Sequence, residues 1–278
     1  MKIRGFTLVE LVIVIAITGV LAASVTMFLL PAIKGYFDAR RRADMTDMAD
    51  TALRRMSFDV RRAVPNSISV IAPQPADAFT ACFRLAPTIA GGRYRMGPDT
   101  ATVGSASASL GAGDTVFDAL WIESQRALVA GGATPDIVVV DNTNDADVYA
   151  GANRAAITAA AAPALATDGA MRLTLANSPV AMPGYDQGRF VVVPGDEQVV
   201  YYSCVGGALL RATTAFGAAS ACGGGVPVAT ADAVACTFAY EAGPTATEQN
   251  GLLWMGLTLT QDGEAVTLSY SANVPNVP

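Results

Sequence analysis

The chain has 278 residues, 52% of them hydrophobic and only 15% charged, with a formal net charge of −6. An acidic balance argues against nucleic-acid binding, which needs a basic patch, and the absence of histidine removes the common zinc-ligand and imidazole-base chemistries. Four cysteines, an even number, suit a disulfide framework in an exported domain.

The first element is the N-terminus. Met1-Lys2-Ile3-Arg4-Gly5 forms a short basic leader, and from Phe6 to about Ile33 Glu10 is the only charged residue. About 20 apolar residues span a bilayer, so this run is long enough to cross one. Lys2 and Arg4 should hold the N-terminus on the cytoplasmic side, with everything beyond about residue 34 outside the inner membrane. A carboxylate within such a run costs roughly 2.5–3.5 kcal/mol on insertion scales, which makes Glu10 a candidate functional residue. An ordinary secretory signal has a shorter core and would not normally carry Glu10. A plain anchor explains the length of the run but neither Glu10 nor the Gly5-Phe6 junction.

The helix should continue past the membrane. Pro31 and Gly35 are expected to bend or loosen it. Beyond them, Met45, Met48, Ala49, Ala52, Leu53, Met56 and Val60 recur at spacings of three and four, one apolar stripe suited to packing under a sheet. Asp38 with Arg42, and Asp50 with Arg54, are acid-before-base pairs at i,i+4. Arg40-Arg41-Arg42 suits either lipid headgroups or a solvated face. Pro65 should end the helix near Val64. The expected division is therefore a leader over 1–5, a helix over 6–64 (membrane-spanning to 33, amphipathic over 34–64) and an exported β-rich domain over 65–278.

After Pro65 the pattern turns to strands. Ser67–Ala72, Phe79–Leu85, Val116–Glu123, Asp136–Asp141, Arg172–Ala176 and Arg189–Pro194 read as extended, and Gly91-Gly92 as a turn. Alanine-rich Asn153–Ala162 suggests a short helix. Gln198–Cys204 and Ala208–Thr213 flank Gly206-Gly207 as a hairpin. Val234–Tyr240, Leu252–Gln261 and Ala265–Tyr270 follow, the last two joined at Asp262-Gly263. The fold class is α+β, a long N-terminal helix packed on antiparallel sheet.

The string Gly5-Phe6-Thr7-Leu8-Val9-Glu10 resembles the prepilin signal of type IV pilins and type II secretion pseudopilins. The resemblance implies cleavage between Gly5 and Phe6 by a prepilin peptidase, N-methylation of Phe6, and pairing of Glu10 with the N-terminal amine of a neighbouring subunit. It implies partners: major and other minor pilins, the inner-membrane pilus assembly machinery, and membrane lipid before assembly. The expected location is the inner membrane, single pass with the globular domain periplasmic, and then an extracellular pilus. Cleavage would remove Lys2 and Arg4 and take the formal charge to −8 before terminal groups.

Downstream, Arg61-Arg62-Ala63-Val64-Pro65-Asn66-Ser67, Pro87–Arg95, Tyr201-Tyr202-Ser203-Cys204, Val234–Tyr240 and the closing Asn273–Pro278 are similar to the large minor pilins of the mannose-sensitive haemagglutinin pilus, the MshO kind. The implied role is pilus initiation or tip formation. The large J-type minor pseudopilin of type II secretion and a pilus-tip adhesin are the alternatives. In such relatives the cysteines matching Cys204 and Cys236 are the usual pair, which leaves Cys82 and Cys222 for a second bond. A Cys204–Cys222 bond stays open as a competitor.

No chemistry beyond assembly is expected. Asp141–Asp147 offers oxygen ligands at alternating positions but lacks the glycine and glutamate of a calcium loop, with Ala152 at the twelfth position, so it reads as a polar turn. Gly223-Gly224-Gly225 lacks the Lys-Ser/Thr of a phosphate loop. Trp121 and Trp254 read as core. No nucleophile stands with a recognisable base, so the reading is a non-enzyme with no cofactor and no metal.

Overall fold

The computed structural model describes residues 5–74, 79–179, 188–242 and 250–276. Lys2 and Arg4, on which the expected orientation rests, lie outside them.

A single helix, α1 (Leu8–Arg61), runs unbroken for 54 residues with Pro31 inside it. At 1.5 Å per residue it is about 80 Å long. Neither Pro31 nor Gly35 interrupts it, although Pro31 offers no N–H to the carbonyl of Met27. It starts two residues later than expected, after the N-cap Thr7, and ends three residues earlier, at a C-cap on Arg62. Its first half is exposed, whereas Met45, Ala49, Ala52, Leu53, Met56 and Val60 are buried. The three- and four-residue spacing of the stripe is what puts them on one face.

The chain leaves the helix into β1 (Ser69–Ile71) and β2 (Ala81–Leu85), an antiparallel pair. It then builds β3 (Ala90–Tyr94), β4 (Val116–Ser124), β5 (Ile137–Val139), α2 (Asp145–Ala150), β6 (Arg154–Ala161), β7 (Met171–Leu175) and β8 (Arg189–Val193). These six strands close a barrel in the order β3-β4-β7-β6-β5-β8. Its interior holds Phe117, Phe190, Leu173, Val192 and Ile157, with Phe117 edge-on to both Tyr94 and Phe190. Next come β9 (Val199–Val205), which pairs with β2, then β10 (Ala208–Thr214) and β11 (Val226–Thr230). The order β1-β2-β9-β10-β11 makes a five-stranded sheet, so the barrel is an insertion between two neighbouring strands. Last, β12 (Ala233–Glu241), β13 (Asn250–Gln261) and β14 (Glu264–Pro275) form a three-stranded antiparallel meander. Alternation along β13 turns Leu253, Met255, Leu257 and Leu259 inward. They join Phe83, Tyr202 and the α1 stripe in the largest core cluster.

The α+β plan is the one the sequence predicts, with four local corrections. Gly91-Gly92 is no turn but the middle of β3; a Cβ on Gly92 would lie 2.2 Å from the Trp121 carbonyl, so close backbone approach demands that glycine. Arg154–Ala161 is a strand, because alternating Ala155 and Ile157 fill the barrel between its neighbours; tertiary context overrides alanine's helical preference. The short helix lies just before it and stops at Gly151, in the left-handed region at φ 91°. The unanticipated β11 contains Pro227, tolerated because it sits on an edge strand beside a register shift. Trp121 and Trp254 are not core: each is 51% exposed.

The charges of α1 also differ in part from expectation. Arg54 bonds Asp50 at 2.5 Å, as spacing predicts. Asp38 instead pairs with Arg41 at 3.4 Å, which also reaches Asp262 at 3.0 Å, while Arg42 meets Glu264 at 3.4 Å. Two of the three consecutive arginines therefore grip the β13–β14 turn, where the chain places acids at 262 and 264.

Buried ion pairs lock both halves of the domain. In the sheet half, Asp59 of α1 accepts from Tyr202 (2.8 Å) and Arg211 (3.0 Å), and Arg211 also bonds Glu197. Burial and the Asp59 carboxylate push the Tyr202 phenol well above its ordinary range. In the barrel, fully buried Asp118 takes a bidentate grip from Arg172 (2.7 and 2.7 Å) and the Ala108 N–H at 2.6 Å. Burial pushes its carboxyl up, but Arg172 and the Ala108 N–H outweigh that and hold the pKa below the usual carboxylate value. Disulfides join Cys82 to Cys222 and Cys204 to Cys236, with Cα–Cα distances of 5.9 and 6.0 Å.

Four outcomes follow from this framework. Asp118 has a depressed folded pKa, so its stabilisation is complete above the unfolded carboxylate value of about 4 and is lost as pH falls through the folded one; urea midpoints should drop below about pH 4. Arg172→Met should lower stability at pH 7 by about 3 kcal/mol and flatten that acid dependence. Arg211→Ala, which leaves Asp59 facing Tyr202 alone, should cost about 3 kcal/mol by the same measurement, and Asp59→Leu with Arg211→Met should recover most of it. Non-reducing peptide mapping should yield the two disulfide-linked peptide pairs, and four free thiols would contradict the structure.

Candidate functional site

The N-terminus of α1 is built from two residues. Thr7 is an N-cap in extended conformation (φ −83°, ψ 150°). Its Oγ1 accepts the Glu10 N–H at 3.3 Å, while the Glu10 carboxylate accepts the Thr7 N–H and hydroxyl, both at 3.1 Å. This reciprocal capping box satisfies donors that no intrahelical carbonyl can reach. The signature, Thr-x-x-Glu before an apolar run, is present in the sequence but hidden by the more conspicuous oddity of an acid in an apolar segment. The negative side chain also suits the positive end of the helix dipole. Gly5 and Phe6 precede the cap, and Phe6 is 79% exposed. A Cβ on Gly5 would meet nothing within 4 Å, so no packing among the described residues requires glycine there.

Beyond the cap, α1 offers an uninterrupted apolar surface. Its most apolar 18-residue window has a mean hydropathy of 2.5 and is 0% buried. A core helix of a soluble domain would be mostly covered; this one is bare from Leu8 to beyond Ile33. Residues 8–33 extend about 39 Å, more than the roughly 30 Å of a bilayer's hydrocarbon. The few hydroxyls are satisfied inside the helix: Thr18 donates to the Val14 carbonyl (2.7 Å), Ser24 to Val20 (2.8 Å) and Thr26 to Ala22 (2.9 Å). Such back-bonding suits a setting without water.

Where the helix ends, a joint fixes it to the rest. The Thr88 N–H and hydroxyl both donate to the Arg62 carbonyl (2.7 and 2.8 Å), and the Arg62 guanidinium returns to the Thr88 carbonyl at 2.7 Å. The Val64 N–H donates to Ala86 at 2.8 Å. Asn66, at φ 59°, donates from its amide to the carbonyls of Asn142 and Asn276, and the Asn142 side chain donates to Pro65 at 2.6 Å. Asn276 accepts the Asn66 N–H at 3.2 Å and donates to Tyr240 and the Ala242 carbonyl. Helix end, barrel and final strand thus meet through three asparagines. The Arg61–Ser67 and closing Asn273–Pro278 motifs belong to this joint, although 277 and 278 lie outside the described residues.

The residues expected to carry function therefore separate. Gly5, Phe6 and Glu10 cluster at the free end of α1, while the cysteines lie in the globular part. Cys204–Cys236 ties β9 to β12 and so joins the two sheets; Cys82–Cys222 ties β2 to the loop before β11. The oxygen-rich run 141–147 is used locally: Asn144 caps α2, and Asp147 accepts from Thr143 and Asn144. Among the described residues no group of three or more His, Cys, Asp or Glu side chains is placed to hold a metal.

A cleft of about 360 Å³ lies against the joint, between Val64-Pro65 and the outer face of β3 and β8, with Trp121 on its rim. No sequence pattern announced it, because it is made by pairing between distant strands.

Comparison with known families matches residues 1–26 to the prokaryotic N-terminal methylation motif. No curated protein and no solved structure matches the chain. The chain thus carries a type IV pilin-like prepilin leader, which implies processing by prepilin peptidase and assembly with other pilins, joined to a helix long and apolar enough for a membrane anchor.

Proposed function

We propose that this protein is a minor pilin of a type IV pilus of the mannose-sensitive haemagglutinin type, acting in initiation or at the tip. The observation that carries the reading is the methylation motif leading directly into a helix whose first half is bare and whose second half is anchored. A membrane stores that bare surface until subunits bury it against one another. In this reading the peptidase cuts after Gly5, Phe6 becomes the methylated N-terminus, and the domain beyond residue 34 lies in the periplasm and later on the pilus. Glu10 then has a second task besides capping: inside a helical bundle it pairs with the ammonium of Phe6 on a neighbour, since either charge alone would be costly there. The resemblance of the joint motifs and of the Tyr201–Cys204 and Val234–Tyr240 segments supports the mannose-sensitive type over a type II secretion pseudopilin.

Mass spectrometry of the mature chain should give Phe6, methylated, as its first residue, and Gly5→Asp should leave the precursor uncut. Glu10→Leu should insert and be cut normally, yet fall in sheared pili by more than about a hundredfold, the loss expected when a buried pair is broken from one side. Glu10→Gln separates the two tasks, because an amide oxygen still accepts the Thr7 bonds but carries no charge. It should be excluded from pili nearly as strongly as Glu10→Leu. Normal incorporation of both variants would refute the pairing role.

A further inference from the structure

The cleft beside the joint has the composition of a binding site. Register places Trp121, Arg93 and Arg189 in one row across β4, β3 and β8, all on the outer face of the barrel. The next row on that face is Glu123, Gly91 and Val191. Gly91 therefore leaves a hollow floored by backbone, in a cleft that Trp121, Arg93 and Arg189 line together with Val64, Pro65 and Asp141. Nothing in the fold requires that glycine. Its φ is not in the left-handed region, and an added Cβ would meet nothing closer than 3.5 Å. Its neighbour Gly92 is the contrast, sterically obligatory and on the inner face.

We infer that this cleft binds a carbohydrate, with one pyranose ring lying on Trp121. The volume of about 360 Å³ is in the range of small-ligand sites, which are mostly apolar with a few convergent polar groups. A sugar ring has the matching surface: an apolar C–H face for a half-exposed indole and a rim of hydroxyls for planar guanidinium and carboxylate groups. Trp121 is 51% exposed at a concave site among such groups, whereas the equally exposed Trp254 stands on the outer face of the meander, opposite Ala239 and Ser271. This inference goes beyond the filament reading and does not depend on it.

The test uses the full chain in a sugar-free polyoxyethylene detergent. Only two tryptophans are present, so Trp254→Phe leaves Trp121 as the sole indole reporter. Cellobiose, lactose, maltose and N,N′-diacetylchitobiose are titrated while the emission maximum is followed. At least one should give a saturable blue shift with a Kd of about 1 mM or tighter. Gly91→Leu, which fills the hollow, should abolish the shift without lowering the melting temperature. Trp121→Ala should weaken binding at least about tenfold by saturation-transfer NMR, the worth of one stacked ring. The absence of any saturable shift with the four sugars would overturn the proposal. So would a shift that persists in Gly91→Leu, or undiminished binding by Trp121→Ala.

Discussion

One helix face organises the globular part. From Met45 to Val60 the buried side chains of α1 repeat every three or four residues, and two sheets share in covering them. The meander lies on the stripe directly, and the five-stranded sheet completes the same core through Phe83, Tyr202 and Leu209. Two sheets and a helix thus share one hydrophobic centre, fastened by the Asp59–Arg211–Tyr202 cluster on one side and the Cys204–Cys236 bond on the other. Removing a helix from such a core would expose both sheets, so the second half of α1 is a structural member of the domain as well as a stalk.

The barrel answers a different problem. It enters between β2 and β9, two strands that pair with each other, so its insertion leaves the ladder intact. Its own core is separate, built on Phe117 and Phe190. What attaches it is the joint at Arg62–Asn66, a small apolar patch of Val64, Ala86, Val139, Val148 and Val193, and Tyr149, whose hydroxyl donates to the Ser67 carbonyl at 2.7 Å while Arg84 stacks on its ring. The attachment combines that apolar patch with hydrogen bonds that run largely to backbone carbonyls. That is the type of contact that sets an orientation, because hydrogen bonds lose strength quickly when misaligned. The cleft lies at this same boundary, where the barrel's outer face meets the residues after α1.

How much of this was legible in the sequence depended on whether the signal was local. The apolar run, the stripe from Met45 to Val60 and the hairpins at Gly206-Gly207 and Asp262-Gly263 are written in consecutive residues, and the structure follows them closely. Barrel closure is not local: β3 finds β8 about a hundred residues later, and nothing in either segment names the other. Gly91-Gly92 misleads because two glycines suggest a turn, whereas close backbone approach accounts for Gly92. Arg154–Ala161 misleads because alanine favours helix until neighbours on both sides supply strand partners. Trp121 and Trp254 defied the expectation of burial because a period of two fixes which face a strand residue takes but not whether that face is covered. At the candidate site, Glu10 stands out by its charge, and the Thr7-x-x-Glu10 spacing makes its capping role equally readable.

The double use proposed for Glu10, capping and pairing, would let one carboxylate be tolerated in both settings of the proposed life cycle. Before assembly the segment stands alone, and an acid there needs a partner. Thr7 provides one, through two bonds to the carboxylate, and receives one back from the Glu10 N–H. The same contacts satisfy helix-end donors that lipid could not, so the acid improves the helix it burdens. In a bundle the carboxylate keeps oxygen lone pairs beyond those the Thr7 bonds engage, since an ionised carboxylate has about four acceptor sites. A neighbour's ammonium can therefore be added without dismantling the cap. In the proposed docking the cap needs no rearrangement, and the charge pairing adds to the burial of the bare helix surface.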